Sequence, residues 1–284
     1  MTPTSERLFA AWRRDLSGWG VPEEILAAAP EPPWTFPNRV FAERAERQAV
    51  QRAEPSYRRA EEALPPGGSV LDVGSGAGAA SLPLATKVSL ITAVDPDPGM
   101  LRALADLAAR TPAGARVETV AGRWPDVAAG VPTADVVVCH HVLYNVMDLR
   151  PFVEALTAHA RARVVVEMTD HHPLEPMSPL WLRFHGLARP SGPSAAEAAE
   201  AVSSLGVEVG VERWGAPPLH TYESFEEMVA YHRRRLCLPA DADPDIGAAL
   251  QEMGVDPDHP VGLGAGRPLV TLWWAPPARG GTGR

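Results

Sequence analysis

From Ser69 onward the chain alternates short, continuously apolar runs with stretches of helical period. The apolar runs cover 69–73, 89–94, 116–120, 134–139 and 163–167; they are rich in β-branched residues and bounded by turn formers. Between them, 79–85, 99–109 and 149–160 carry the composition and spacing of helices. Strands that are apolar on both faces and alternate with helices need a parallel sheet covered on both sides. Right-handed crossovers then make that sheet doubly wound. In such a sheet, ligands lie beyond the carboxyl ends of the strands, so the residues just after each strand are where chemistry belongs.

The rest of the chain extends this picture. Helices are predicted over 179–186 and 194–205, a strand over 206–214, helices over 224–237 and 244–253, and a last strand over 268–274. Ahead of the sheet, Leu8, Phe9, Trp12, Leu16 and Trp19 recur at helical spacing until Gly18 and Gly20 interrupt it. A loop at 30–33 follows, then an Ala-, Glu- and Arg-rich helical stretch over 38–64 that Pro55 splits or kinks. Pro65-Pro66-Gly67-Gly68 is the strongest internal boundary. The expected organisation is an N-terminal helical cap segment over 1–65 and an α/β domain over 66–277. That domain carries a helical insertion at 215–267, and 278–284 form a disordered tail.

Composition narrows the class. Of 284 residues, 45% are hydrophobic, enough for a sizeable core, and 21% are charged. There are 26 basic and 35 acidic residues, a net charge of −9, which argues against a broad phosphate-binding surface. Nucleic acid is accordingly not the expected partner. No run of about 18 apolar residues suggests a membrane span, and the charged N-terminal stretch lacks the apolar centre of a signal peptide. Cys139 and Cys237 have no metal-ligand spacing, so free thiols in a cytoplasmic, reducing setting are expected and no metal is. Lys87 is the one lysine among 26 basic residues and points to no site.

The most informative segment is Val70-Leu71-Asp72-Val73-Gly74-Ser75-Gly76-Ala77-Gly78, a strand entering a glycine loop. Glycines there let the backbone turn sharply and approach a ligand. Gly74, Gly76 and Ala79 also satisfy a dinucleotide fingerprint, so a nicotinamide cofactor stays open at this point. Asp72 argues the other way: a carboxylate beside the loop repels a pyrophosphate and welcomes a cation. S-adenosylmethionine, with an ammonium, a sulfonium and no phosphate, fits; capping of the loop amides is the plainer role for Asp72. Asp95 follows the second strand, 21 residues after Gly74, where a carboxylate can accept from both ribose hydroxyls. Either cofactor uses that position, and Pro96 and Met100 could flank an adenine.

Taken in order, 70–78, Asp95, and Asp135-Val136-Val137-Val138 followed by His140-His141-Val142-Leu143 resemble the class I S-adenosylmethionine-dependent methyltransferases. The likeness spans about 66–214, with 268–274 similar to the family's final strand. It implies a Rossmann-like, mostly parallel seven-stranded sheet with an antiparallel last strand, plus a helical cap. It also implies S-adenosylmethionine as cofactor, with Gly74, Ser75, Gly76 and Gly78 at the methionine part, Asp95 on the ribose, and the backbone at His140 receiving the ammonium group. The acidic residue that many members carry after the third strand is replaced by Gly122-Arg123-Trp124, where Trp124 could stack on adenine or be a packed loop aromatic.

Two histidine pairs, His140-His141 and His171-His172, follow adjacent strands and face one cleft if the fold is right. Each can serve as a general base, as a metal ligand or as a locally bonded loop residue. His141 and His172 are the preferred catalytic candidates, with Tyr144 and Asn145 beside the acceptor pocket. Trp181, Phe184 and His185 form an aromatic stripe read first as core and second as pocket wall. Arg39 and Arg44 could reach a carboxylate or lie exposed, and Arg233-Arg234-Arg235 reads as a solvated face. Methyl transfer from a sulfonium needs alignment and exclusion of water more than a triad. The expected activity is methyl transfer to the O, N or C atom of a small molecule. The rivals are RNA or protein methylation, a nicotinamide-dependent oxidoreductase, and a non-catalytic nucleoside-binding protein.

Overall fold

The structure, a computed structural model, describes residues 3–34, 54–110, 114–215 and 222–277. The tail, Arg39, Arg44 and most of the 38–64 stretch lie outside them. Strands β1 (Gly68–Val73), β2 (Val88–Asp95), β3 (Arg116–Ala121), β4 (Ala134–His140), β5 (Ala160–Thr169), β6 (Gly210–Gly215) and β7 (Pro268–Trp274) form one sheet. Their order is β3-β2-β1-β4-β5-β7-β6. The first five strands pair in parallel, and β7 runs antiparallel between β5 and β6. The order reverses between β1 and β4, which opens the crevice expected of a doubly wound sheet.

Side chains alternate across each strand, and here both sets are buried. On one face Leu71, Val73, Val137, Cys139, Val164, Val166 and Leu272 pack on α5 (Leu149–His159) through Phe152, Val153 and Leu156. Trp12 and Leu16 of α1 (Pro3–Ser17) and Ala198 and Val202 of α7 (Ala195–Ser203) close that layer. On the other face Val70, Ile91, Val136, Val138 and Val165 meet Tyr57 and Ala60 of α3 (Pro55–Glu61). Ala93 lies under Leu101 and Leu104 of α4 (Pro98–Arg110). Each such fully buried Val or Leu contributes roughly 1.5–3 kcal/mol, which is why apolar residues dominate the runs.

A separate helical core is built from α2 (Glu23–Ala28), α6 (Ser178–His185), α8 (Phe225–Arg235) and α9 (Asp243–Glu252). Leu180, Trp181, Met228, Leu236, Ile246 and Leu250 are its buried centre, with Val21 and Ile25 against it. The N-terminal segment therefore divides: α2 joins this cap core, while α1 and α3 cover opposite faces of the sheet. Among the described residues no helix is long and apolar enough to cross a membrane.

One element departs from expectation. The helix predicted over 79–85 is a single 3₁₀ turn, Leu82–Leu84. Pro83 has no amide proton to donate. The Ser81 hydroxyl is committed to Asp72 Oδ2 at 2.6 Å, and Gly78 sits at φ +90. The loop thus leads into a turn with no helix dipole behind it.

Candidate functional site

The glycine loop is shaped by backbone demands that only glycine meets. Gly74 has φ +70, and a Cβ there would collide with Val142 of the loop after β4. The amides of Gly74 and Ser75 bond the Val94 carbonyl at 2.8 and 3.1 Å, tying the loop to the end of β2. Asp95 completes the tie. Its Oδ2 accepts from Gly76 N–H at 2.9 Å and its Oδ1 from Asp97 N–H at 2.8 Å. Each carboxylate oxygen can accept again, so Asp95 both holds the loop and keeps acceptor capacity toward a ribose. Asp97 in turn caps α4 by accepting from Gly99 N–H at 2.7 Å.

These groups converge on a cavity of about 380 Å³ at the carboxyl ends of β1, β2 and β4. Gly74, Ser75, Gly76, Asp95, Pro96, Met100, Gly122, Arg123, Trp124, His140 and His141 all line it, as does Asn145. Trp124 is buried, and its indole N–H reaches the Phe152 carbonyl at 3.4 Å, which fixes the ring in the wall. Asp72 and Gly78 do not face the cavity. Asp72 is fully buried behind the loop; burial pushes its carboxyl up to about 7, with the Ser81 bond opposing and nearby Asp95 adding to the rise. Asp72 therefore does not repel a pyrophosphate from the pocket as its sequence position suggested, because its carboxyl is partly neutral and does not touch the cavity.

The cavity nevertheless fits S-adenosylmethionine. Ser75 Oγ, in the cavity wall, is a buried polar atom without a hydrogen-bond partner among the described residues, as befits a site for a polar ligand. The missing helix after the loop removes the dipole that dinucleotide pyrophosphates use, so a phosphate-free nucleoside suits the loop better.

Beside the cavity the end of β4 carries a second cluster. The β4–β5 register pairs His140 with Glu167. His141 takes the left-handed conformation at φ +59, uncommon for a residue with a side chain, and its amide bonds the Glu167 carbonyl at 2.7 Å. That turn places His141 Nε2 at 3.0 Å from Glu167 Oε1 and Nδ1 at 2.8 Å from the Tyr144 hydroxyl. His140 Nδ1 lies 3.9 Å from Oε2. Burial alone would push Glu167 up, yet the imidazoles of His140 and His141 and the Ser56 hydroxyl hold it well below the usual carboxylate range. Glu167 is not among the residues that motif and spacing single out; its signal is an acidic residue inside the Val164-Val165-Val166-Glu167-Met168 run, where burial demands a partner.

The other candidates go elsewhere. His172 is buried outside the cavity wall, stacked on Trp19 with ring centroids 4.0 Å apart. Burial, with Arg267 and Arg189 nearby, pulls its pKa down to about 3, and its Nδ1 accepts from Leu174 N–H. It is thus neutral and already occupied near pH 7. His171 is exposed. Trp181, Phe184 and His185 belong to the cap core, with Arg189 over the Trp181 ring at 3.9 Å and His185 Nε2 on the Leu236 carbonyl. The arginine run is not a solvated face: Arg233 pairs with Asp243 and Glu31, and Arg235 is buried over Trp34 and Tyr231. Cys139 and Cys237 are buried and free.

Residues 70–163 match the family model described as a methyltransferase domain. Solved structures share the fold. A cyclopropane-fatty-acyl-phospholipid synthase-like protein from Lactobacillus casei is 16% identical, with a TM-score of 0.55 over 93% of this chain and 99% of that one. The YcgJ protein of Bacillus subtilis is 18% identical, with a TM-score of 0.53 over 78% and 97%. No curated protein matches the chain. The domain match runs from the strand before the glycine loop to the start of β5. Residues 70–163 thus carry a methyltransferase domain, on a fold that these solved structures share.

Proposed function

We propose that the chain methylates a small-molecule acceptor, with the nucleoside held by the loop at 74–76, Asp95 and the Trp124 wall. The supporting observation is the convergence of those groups with His140, His141 and Asn145 on one 380 Å³ cavity. When bound, S-adenosylmethionine supplies an activated methyl group; the residues of the chain bind, orient and exclude water. Asp95 accepts from the ribose, Met100 and Pro96 flank the adenine, and Trp124 stacks on it. Gly122 and Arg123 complete that wall. His141 and Tyr144 stand on the acceptor side. His172 serves the packing of Trp19 and leaves proton chemistry to the other pair.

A small acceptor agrees with the net charge of −9, which offers no track for a polyanion. It also agrees with the cap core that follows β5, and with the name of the Lactobacillus casei neighbour, which refers to a lipid-modifying synthase. Isothermal titration with S-adenosylhomocysteine is the test. Saturable binding that Asp95→Ala weakens is the expected result. A folded protein that binds no S-adenosylhomocysteine, or transfers label from S-adenosylmethionine to RNA in preference to small hydroxyl and amine compounds, overturns the reading.

A further inference from the structure

Two lines of buried polar groups meet at Glu167. On one side the Trp214 indole donates to Thr271 Oγ1 at 3.0 Å, and the Thr271 and Ser56 hydroxyls lie 2.6 Å apart. Indole N–H can only donate, so Thr271 accepts from it, and the Thr271–Ser56 bond can run in either direction. Ser56 lies close enough to Glu167 to favour its charged form. Ser56, Thr271 and Glu167 are at most 1% exposed, so water does not compete for these bonds. On the other side His141 presents Nε2 to the Glu167 carboxylate and Nδ1 to the Tyr144 hydroxyl. No aligned N–H···O bond joins the two, but a negative charge 3.0 Å from Nε2 favours the ring proton there. Nδ1 of the neutral ring is then an acceptor, and Tyr144 O–H donates to it.

We propose that Glu167 is the positioning residue of a proton relay running Tyr144–His141–Glu167, with the Tyr144 oxygen as its outer end. The inference deepens the methyltransferase reading and rests on it for the acceptor. Tyr144 lies in the same turn as the cavity-lining Val142 and Asn145. A proton leaving the acceptor goes to the Tyr144 oxygen as the tyrosine's own proton passes to His141 Nδ1. The imidazolium that results stands against the ionised Glu167, and nothing but the proton has moved. This arrangement serves an acceptor that carries a proton on its nucleophilic atom, a hydroxyl or an N–H. His141 is held at positive φ in the turn that brings its ring to Glu167, a conformation uncommon for a residue with a side chain.

The charged and titratable groups around His141 are Glu167 from β5, His140 beside it on β4 and Tyr144 from the following turn. Beyond Tyr144 stand Arg267 ahead of β7 and His172 after β5. The test is NMR titration of the His141 ring in the full chain loaded with S-adenosylhomocysteine, over about pH 5 to 9. Glu167→Gln removes the charge that favours the imidazolium and is expected to lower the His141 midpoint by about one pH unit or more. Tyr144→Phe removes a donor that favours the neutral ring and is expected to raise it, by roughly half a unit. Opposite shifts are the signature of the relay, and a merely structural Glu167 would not produce them. An unmoved midpoint in Glu167→Gln, or a lowered one in Tyr144→Phe, overturns the proposal. Should Glu167→Gln fail to fold, the sign in Tyr144→Phe decides. Titration calorimetry on the wild type runs alongside: no S-adenosylhomocysteine binding there overturns the methyltransferase reading, while the His141 midpoints still judge the relay.

Discussion

Asp72 and Glu167 are both buried carboxylates near the carboxyl ends of strands in the same sheet, yet they carry opposite protonation tendencies. Asp72, on β1, has one hydroxyl donor, Ser81, and another carboxylate, Asp95, nearby; burial prevails and pushes it up to about 7. Glu167, on β5, is buried to the same degree but faces two imidazoles and a serine hydroxyl, and it stays ionised. Burial sets the cost of the charge, and the partners decide whether the charge survives. The β1–β2 end therefore presents shape and backbone bonds around a carboxyl that is partly neutral. The β4–β5 end keeps a fixed negative charge that can organise a proton.

The joint between the two ends is Gly74 against Val142, and breaking it should have the largest effect. Gly74→Ala combines an unfavourable positive φ with overpacking, so a loss of about 2–5 kcal/mol in urea unfolding is expected. A loss under 1 kcal/mol would show that the two ends move independently. Next, Asp95→Ala removes a carboxylate that holds Gly76 and Asp97 and that the proposed reading sets against the ribose. Affinity for S-adenosylhomocysteine should fall by roughly 2–4 kcal/mol in calorimetry, and unchanged affinity would remove Asp95 from the site.

The contrast itself is sharpened by Asp72→Asn. The folded-state pKa lies above that of an unfolded aspartate, so the folded chain keeps a proton that the unfolded chain releases between about pH 4 and 7. The stability Asp72 contributes is complete below pH 4 and is lost as pH rises through 7. Asp72→Asn should thus stabilise the ligand-free protein at pH 8 by about 1–3 kcal/mol and give no gain at pH 4. Glu167→Gln should act with the opposite sign at pH 8, because a depressed carboxyl contributes stability above its unfolded pKa. Denaturant midpoints of the two variants at both pH values check this, and equal signs would dissolve the contrast. The smallest effect is expected at Lys87, whose ammonium pairs with Glu61 at 2.7 Å on an exposed surface. Lys87→Ala should cost no more than about 1 kcal/mol by thermal melting, and less in high salt.

Legibility followed the same division. The Val70–Gly78 loop and Asp95 could be read because their constraints are local: a strand end, residues needing positive φ, a carboxylate one strand later. Glu167 could not, since its meaning depends on Ser56 in α3, Thr271 in β7 and the turn at His141. His172 looked like a cleft residue until the stack on Trp19 and the nearby Arg267 and Arg189 accounted for it. Arg235 read as solvated because nothing local announces that Trp34 covers it. The 79–85 helix failed for a local reason that composition hides: Pro83 and the Ser81–Asp72 bond outweigh a run of good helix formers.

By itself, then, the order of residues determined the strands, the reversal of the sheet that opens a crevice, and a glycine loop with its carboxylate partner. Those follow from backbone sterics and from the need to bury both faces of each strand, which act over a few residues. Which carboxyl keeps its charge, which histidine can take a proton and which aromatic merely packs were decided only by tertiary structure. Desolvation and pairing energies depend on neighbours brought in from distant strands and helices.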